Sequence, residues 1–174
     1  MEVKGKMQVI IYTSNTGSTA EYAKLLGKEL NLPVVCLQQA KNKVSEGTEI
    51  IYLGWIMAGG IKGYKKAVRR YKVCAVCGVG MGQTGTQLKE IRDKNVIPQK
   101  VPLFTLQGNF DVKKLHGVYR FMMNVMVKTA GKALAEKTDR TMEEDDMLDM
   151  MVNGGKRVTR QNLMAVVEWY KSVN

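Results

Sequence analysis

The chain has 174 residues, with 27 Lys and Arg against 16 Asp and Glu, and a formal net charge of +11. That length suits a single domain, 1–174, able to bury roughly 70% of its unfolded surface. No run approaches the ~20 apolar residues of a membrane span, and three cysteines do not make a disulfide framework. The opening MEVKGKMQVIIY has neither a signal-peptide core nor a small-residue cleavage site, so the expected location is the cytoplasm. The charge is uneven. Residues 136–149 carry a local −5, which leaves +16 on the remainder and an attraction for anionic partners.

Five apolar runs have strand length: MQVIIY (7–12), PVVC (33–36), IIYLG (50–54), VCAVCGV (73–79) and VPLFTL (101–106). They do not alternate cleanly, as expected of strands covered on both faces. Helical patterns separate them. In TGSTAEYAKLLGKEL, Ala23, Leu26 and Leu30 recur at helical spacing, and IKGYKKAVRRY sets Ile61, Tyr64, Val68 and Tyr71 on one face. Segment 37–49 is polar and reads as a short helix or a loop, and TQLKEIRDK is a third, shorter helix. Strand–helix alternation implies a parallel sheet with helices on both sides. Residues 112–135 then form a long helical pattern with Leu115, Val118, Tyr119, Met122, Met126, Ala130 and Leu134 as its apolar positions. An acidic stretch, an NGG turn (153–155) and a last helix near 160–172 follow. Residues 107–158 are thus a helical and acidic insertion before the C-terminal helix, too long for a plain loop.

Chemistry concentrates at the first strand-to-helix turn. After Tyr12, the hydroxyls of Thr13, Ser14, Thr16, Ser18 and Thr19 surround Gly17, and a helix begins. Gly17 permits a tight turn and close backbone approach. The free N–H groups and dipole of the helix start favour an anion. Capping by Thr16 or Ser18 needs one hydroxyl, fewer than are present here. The turn holds no Lys, so it is not the phosphate loop of nucleoside triphosphatases. A single phosphate monoester suits it better.

This turn resembles the flavodoxin signature: Ile10, Ile11, Tyr12, Ser14, Gly17, Thr19, Ala23 and Leu26 meet its constrained positions. The resemblance implies a flavodoxin-like α/β fold, a five-stranded parallel sheet in the order 2-1-3-4-5, and FMN as the cofactor. It assigns Ser14, Asn15, Thr16, Gly17, Ser18 and Thr19 to the FMN phosphate. In such sheets ligands bind at the carboxyl ends of the strands. The loops after strands three and four should therefore complete the site, with Trp55, Ile56, Met57, Ala58, Gly59 and Gly60 from the first. Gly59 or Gly60 matches the family glycine that lets a peptide carbonyl turn towards flavin N5. Gly78, Val79, Gly80, Met81, Gly82 and Gln83 come from the second. The family's stacking Trp and Tyr fall by counting near Ala58 and Thr84, and neither residue is aromatic here.

The triplet Gly80-x-Gly82-x-x-Gly85 has dinucleotide-loop spacing, but it follows the fourth strand, and no acid occurs in TLQGN where one would meet a ribose. Cys74 and Cys77 form a C-x-x-C within a strand, where alternation sends the sulfurs to opposite faces. His116 has no metal-ligand partners nearby in sequence, and no catalytic residue or metal site is assigned. The bases around Lys65 and Arg69 read as a solvated helix face, with no nucleic-acid role. KLHGVYRFMMNVMVKTAGK (114–132) is basic and Met-rich, with Met122, Met123 and Met126 on its apolar side. Such helices pack as core, or lie on membranes and adaptable partners.

TLQGNF followed by YRFMMNVMVKTAGK resembles the menaquinone-dependent protoporphyrinogen oxidases of the flavodoxin superfamily, although the long insertion those enzymes carry after strand four is missing. The functional expectation is an FMN-binding redox protein, an electron carrier or a flavin-dependent oxidoreductase of that kind. Its redox partner would be an acidic protein or a quinone, with peripheral association at the inner face of the membrane.

Overall fold

The computed structural model describes residues 7–174. Residues 1–6, the start of the segment read as lacking a signal peptide, lie outside the described residues. In chain order the elements are β1 (Val9–Thr13), α1 (Ser18–Leu30), β2 (Val34–Cys36), α2 (Leu37–Lys43), β3 (Glu49–Met57), β4 (Gly60–Ile61) and α3 (Tyr64–Arg70). They continue with β5 (Lys72–Gly80), α4 (Leu88–Asn95), β6 (Leu103–Gln107), α5 (Gly117–Glu136), α6 (Met142–Asn153) and α7 (Met164–Val173).

The five parallel strands run β2-β1-β3-β5-β6. This is the expected 2-1-3-4-5 order once the two-residue β4, antiparallel to the end of β3, is set aside. On one face Ile10, Ile51, Leu53, Ala75, Cys77, Val79 and Leu106 pack against Tyr22, Ala23 and Leu26 of α1 and Val166, Val167 and Tyr170 of α7. On the other, Val9, Ile11, Ile50, Tyr52, Val76 and Leu103 meet Ala40, Tyr64, Ala67 and Ile91 from α2, α3 and α4. Two apolar layers around a parallel sheet place the carboxyl ends of the strands at one edge, and there the loops gather.

The structure corrects four local readings. First, β3 does not stop at Gly54. It runs to Met57 and folds into β4 through Ala58 and Gly59, both with positive φ (48° and 76°), the conformation of a two-residue type I′ hairpin turn. Gly54 stays within the strand because Ile61 and Lys62 cross directly over it: an added Cβ would lie 2.5 Å from Ile61 Cγ2 and 2.6 Å from the Lys62 carbonyl. Second, Ile61 therefore belongs to a strand. The buried face of the short α3 is Tyr64 and Ala67, while Val68 is exposed.

Third, β5 carries a bulge opposite Ile50 and Ile51, where Val73 and Ala75 are the paired residues and Cys74 is extra. The bulge interrupts alternation, so Cys74 and Cys77 both pack into the layer shared with α1 and α7 rather than on opposite faces. Both remain free thiols. Burial pushes the Cys77 thiol up to about 12, and burial also raises that of Cys74.

Fourth, the apolar face of α5 is the expected one except at Val118 and Met122. Tyr119, Met123, Met126, Val127, Ala130, Gly131 and Leu134 turn inward, while Val118, Phe121, Met122 and Val125 are exposed. The insertion hangs from a neck in which Phe110 and Gly155 exchange backbone hydrogen bonds at 3.0 and 3.2 Å. Its acids are mostly partnered. Thr141 and Glu144 form a capping box at the start of α6, Lys137 meets Glu144, Arg140 meets Asp145, and Arg157 meets Asp146 and Asp149.

Candidate functional site

A cavity of about 280 Å³ opens at the carboxyl edge of the sheet. Four loops wall it: the β1–α1 turn, the end of β3, the β5–α4 loop and the segment after β6. Methionines of α5 and α6 close it from above.

The β1–α1 turn supplies the polar end. Gly17 has φ +108° with nothing within 4 Å of an added Cβ, so open space and a left-handed backbone set its role. The first helical hydrogen bond runs from the Glu21 N–H to the Gly17 carbonyl at 2.9 Å, which leaves the N–H groups ahead of it for another acceptor. Thr19 is 1% exposed, lines the cavity, and among the described residues its hydroxyl has no protein partner. Ser14 Oγ is buried and likewise unpartnered, an uncommon state for a hydroxyl in a folded protein. Ser18 is committed differently: its Oγ accepts the Asn109 N–H at 3.0 Å, tying the turn to the segment after β6.

Behind this turn the scaffold is rigid. Tyr52 OH donates to the Lys62 carbonyl at 2.6 Å and sits 2.8 Å from Thr13 Oγ1. Burial pushes the Tyr52 phenol up to about 12. Tyr22 OH donates to the Gln107 carbonyl at 2.5 Å and accepts from Asn162 Nδ2 at 2.7 Å, and burial raises its pKa as well. Asn109 Oδ1 accepts the N–H groups of Arg157 at 2.6 Å and Val158 at 2.9 Å, which fixes where the chain re-enters the fold after the insertion.

Asn15, Thr16, Ser18, Thr19, Trp55, Ile56, Met57, Ala58, Val79, Gly80, Met81, Gly82 and Gln83 all line this cavity. Ser14 and Gly17 belong to the same turn without lining it. Gly59 and Gly60 lie in the hairpin and also outside the lining. The Gly59 carbonyl accepts Asn95 Nδ2 at 2.8 Å, a bond that a turning peptide at this point would lose. Gly78 lies beneath Ile56 and Ile61, the nearest atom to an added Cβ being Ile56 Cδ1 at 2.9 Å. Trp55 leans on α5: its ring meets Tyr119 edge-on at 5.3 Å, with Lys62 Nζ over both rings. Thr84 Oγ1 accepts the Gln107 N–H at 3.0 Å and so pins the loop to β6.

Sequence reasoning passed over the rest of the lining: Thr86, Gln87, Ile91, Thr105, Leu106, Gly108, Asn109, Phe110, Asp111, Leu115 and the methionines at 123, 126, 147 and 151. A signal was present, since TLQGNF also leaves the carboxyl end of a strand. Among the described residues the lining contains no Lys or Arg. One end therefore offers N–H groups and hydroxyls to a small anion, and the other offers apolar, polarisable surface to a flat hydrophobic group. Among the described residues no cluster of His, Cys, Asp and Glu is placed to hold a metal, and no helix is long and apolar enough to cross a membrane.

No curated protein matches the chain significantly. The Flavodoxin domain family, however, matches residues 9–137, about three quarters of the chain, and the match runs from β1 through α5, spanning every strand of the sheet and the loops that wall the cavity. By strand order and sequence match together, the chain belongs to the flavodoxin domain family.

Proposed function

We propose that this protein holds FMN non-covalently in the cavity at the sheet edge and serves as a redox protein, moving electrons between partners. The observation that carries the reading is the polar end of that cavity, where Asn15, Thr16 and Thr19 line a helix start whose leading N–H groups have no acceptor among the described residues, with the unpartnered Ser14 Oγ in the same turn. A buried donor without an acceptor is costly, and a phosphate oxygen would satisfy it. Ser14, Asn15, Thr16, Gly17, Ser18 and Thr19 would hold that phosphate, with Ser18 contributing mainly its backbone because its hydroxyl serves Asn109. Trp55–Ala58 and Val79–Gln83 would border the ring, and their apolar side chains would exclude water from it. Bound FMN would supply one- or two-electron chemistry, and the protein's part is to bind, orient and shield it.

A second reading, a flavin-dependent oxidoreductase resembling the menaquinone-dependent protoporphyrinogen oxidases, is favoured by α5. Its outward face presents Val118 and Phe121 at 63% and 68% exposure, and Lys128 and Lys132 continue that face towards the C-terminus. An apolar stripe with bases beside it suits an anionic membrane surface, where a quinone would be the electron acceptor. A peripheral site on the inner face of the membrane fits this version, and an acidic redox protein in the cytoplasm fits the first.

The deciding measurement is the visible spectrum of the purified protein before and after FMN addition. A protein-perturbed flavin spectrum is expected, and none in either case overturns the reading. Porphyrinogen oxidation with a quinone acceptor, together with co-sedimentation on anionic but not neutral vesicles, selects the second version. Turnover with flavodoxin-type reductases alone selects the first.

A further inference from the structure

The cavity has a roof. Met123 and Met126 on the inner face of α5, and Met147 and Met151 on α6, line it from the side opposite the sheet. The positions where an aromatic stack was expected hold Ala58, in the hairpin turn, and Thr84, whose hydroxyl is bound to the Gln107 backbone. The Trp55 ring is engaged with Tyr119 and Lys62. Flat apolar surface above the cavity therefore comes chiefly from the insertion.

That roof is built into the fold. Gln107, at the end of β6, donates from Nε2 to Asp146 Oδ2 at 2.6 Å, and Arg157 holds Asp146 and Asp149 at 3.2 Å each. Met150 is fully buried beside Gln107, and the bridge between Phe110 and Gly155 closes the neck. These anchors fix α6 over the strand ends, while the contact between Trp55 and Tyr119 fixes the start of α5. The cavity is near the lower bound for a site that encloses one organic ligand, so a ring lying in it would touch the roof directly. Thioethers are polarisable, conform to irregular surfaces and make favourable contacts with aromatic rings.

We propose that the α5–α6 insertion is part of the cofactor site, its methionines at 123, 126, 147 and 151 covering one face of the isoalloxazine ring in place of an aromatic stack. The proposal rests on the FMN reading. It names residues that the phosphate turn and its signature do not reach. It also implies that electrons enter or leave at a ring edge or through the methionine layer, since the face is covered.

Methionine oxidation reads this on the unmodified chain, because exposure to peroxide converts accessible thioethers to sulfoxides. The protein with and without saturating FMN would be pulsed with peroxide and each methionine followed by mass spectrometry. FMN should slow oxidation of the partly exposed Met123, Met126 and Met147 by roughly fivefold or more, on the scale of covering an accessible side chain, while Met151, buried at 7% exposure, should oxidise slowly in both states. Met142, which is 87% exposed, should be unaffected, and Met150 should report global opening alone. Bound FMN with no protection of the roof, or protection no larger than at Met150, overturns the proposal while leaving the flavin reading intact. A spectrum showing no FMN uptake overturns both. As a second arm, Met123→Ala with Met126→Ala should weaken FMN binding roughly tenfold through lost apolar contact, and the Leu pair should restore it. An Ala pair that binds FMN as tightly as the wild type counts against the proposal.

Discussion

Thr19→Val separates the two costs that a buried hydroxyl can carry. Thr19 is 1% exposed, lies on the cavity wall, and its hydroxyl has no partner among the described residues. In the protein without ligand this hydroxyl borders the cavity and makes no protein hydrogen bond among the described residues, so replacing it by a methyl of similar shape removes no bond from the fold. The apo protein should therefore keep its stability or gain up to about 1 kcal/mol. In the proposed FMN complex the same hydroxyl would donate to a phosphate oxygen, a charge-assisted bond worth roughly 1–3 kcal/mol when its removal leaves the anion short of a donor. At 1.4 kcal/mol per decade, affinity should fall roughly 5- to 150-fold. Thermal denaturation without FMN, and FMN titration followed by flavin fluorescence, measure the two terms independently. The opposite signs carry the argument: a variant that loses apo stability and retains affinity would show that Thr19 serves the fold rather than the phosphate.

Asn109→Ala should act on the fold, because the Asn109 side chain accepts two backbone N–H groups at the re-entry of the insertion. Leaving both unpaired should cost roughly 2–4 kcal/mol in urea denaturation, and a loss below about 0.5 kcal/mol would mean that water replaces the amide. Tyr52 gives a pH dependence. Burial raises its folded pKa to about 12, above the ordinary tyrosine value near 10, so its contribution is fully present below pH 10 and declines as pH rises through 12, because the unfolded chain loses its proton first. Tyr52→Phe should flatten that alkaline decline, and an unchanged slope between pH 10 and 12 would assign it to other groups. Cys77, fully buried with its thiol raised to about 12, should label with iodoacetamide at pH 8 only at the rate of global unfolding. Rapid labelling under native conditions would contradict the packing of β5.

The β1–α1 turn was legible because everything that forms it is local: an apolar strand, a glycine among hydroxyls, then a helical period. The strand order followed from alternation and the signature. What escaped depended on distant partners. Gly54 looks like the end of a strand, and only the crossing of Ile61 and Lys62 shows why a glycine continues it. The bulge at Cys74 exists between two strands and has no trace in either alone. Helix α5 is apolar on two sides, so its period could not say that Val118 and Met122 face outward. The structure divides neighbouring methionines, with Met122 exposed and Met123 lining the cavity, and α6 settles the choice by packing along one side.

The same distinction explains the glycines at and beyond the end of β5, and a last substitution tests it. Read as a spacing, Gly78, Gly80, Gly82 and Gly85 all belong to one ligand loop. In the structure they divide by depth along β5 and by turn. Gly80 and Gly82 line the cavity. Gly85 takes φ +85° and donates its N–H to the Thr105 carbonyl at 3.0 Å. Gly78 lies on the same side of β5 as Gly80 but deeper beneath the β3–β4 hairpin, where an added Cβ comes within 2.9 Å of Ile56 Cδ1, against 3.3 Å at Gly80. That atom ends a flexible side chain, so Gly78→Ala should cost about 1–2 kcal/mol, the lower part of the overpacking range. FMN affinity should stay within about threefold of wild type, because Gly78 contributes room for the hairpin and no wall to the cavity. A variant of unchanged stability whose FMN affinity falls tenfold would reverse the assignment. The Gly78 backbone, rather than the space above it, would then be what the ligand requires.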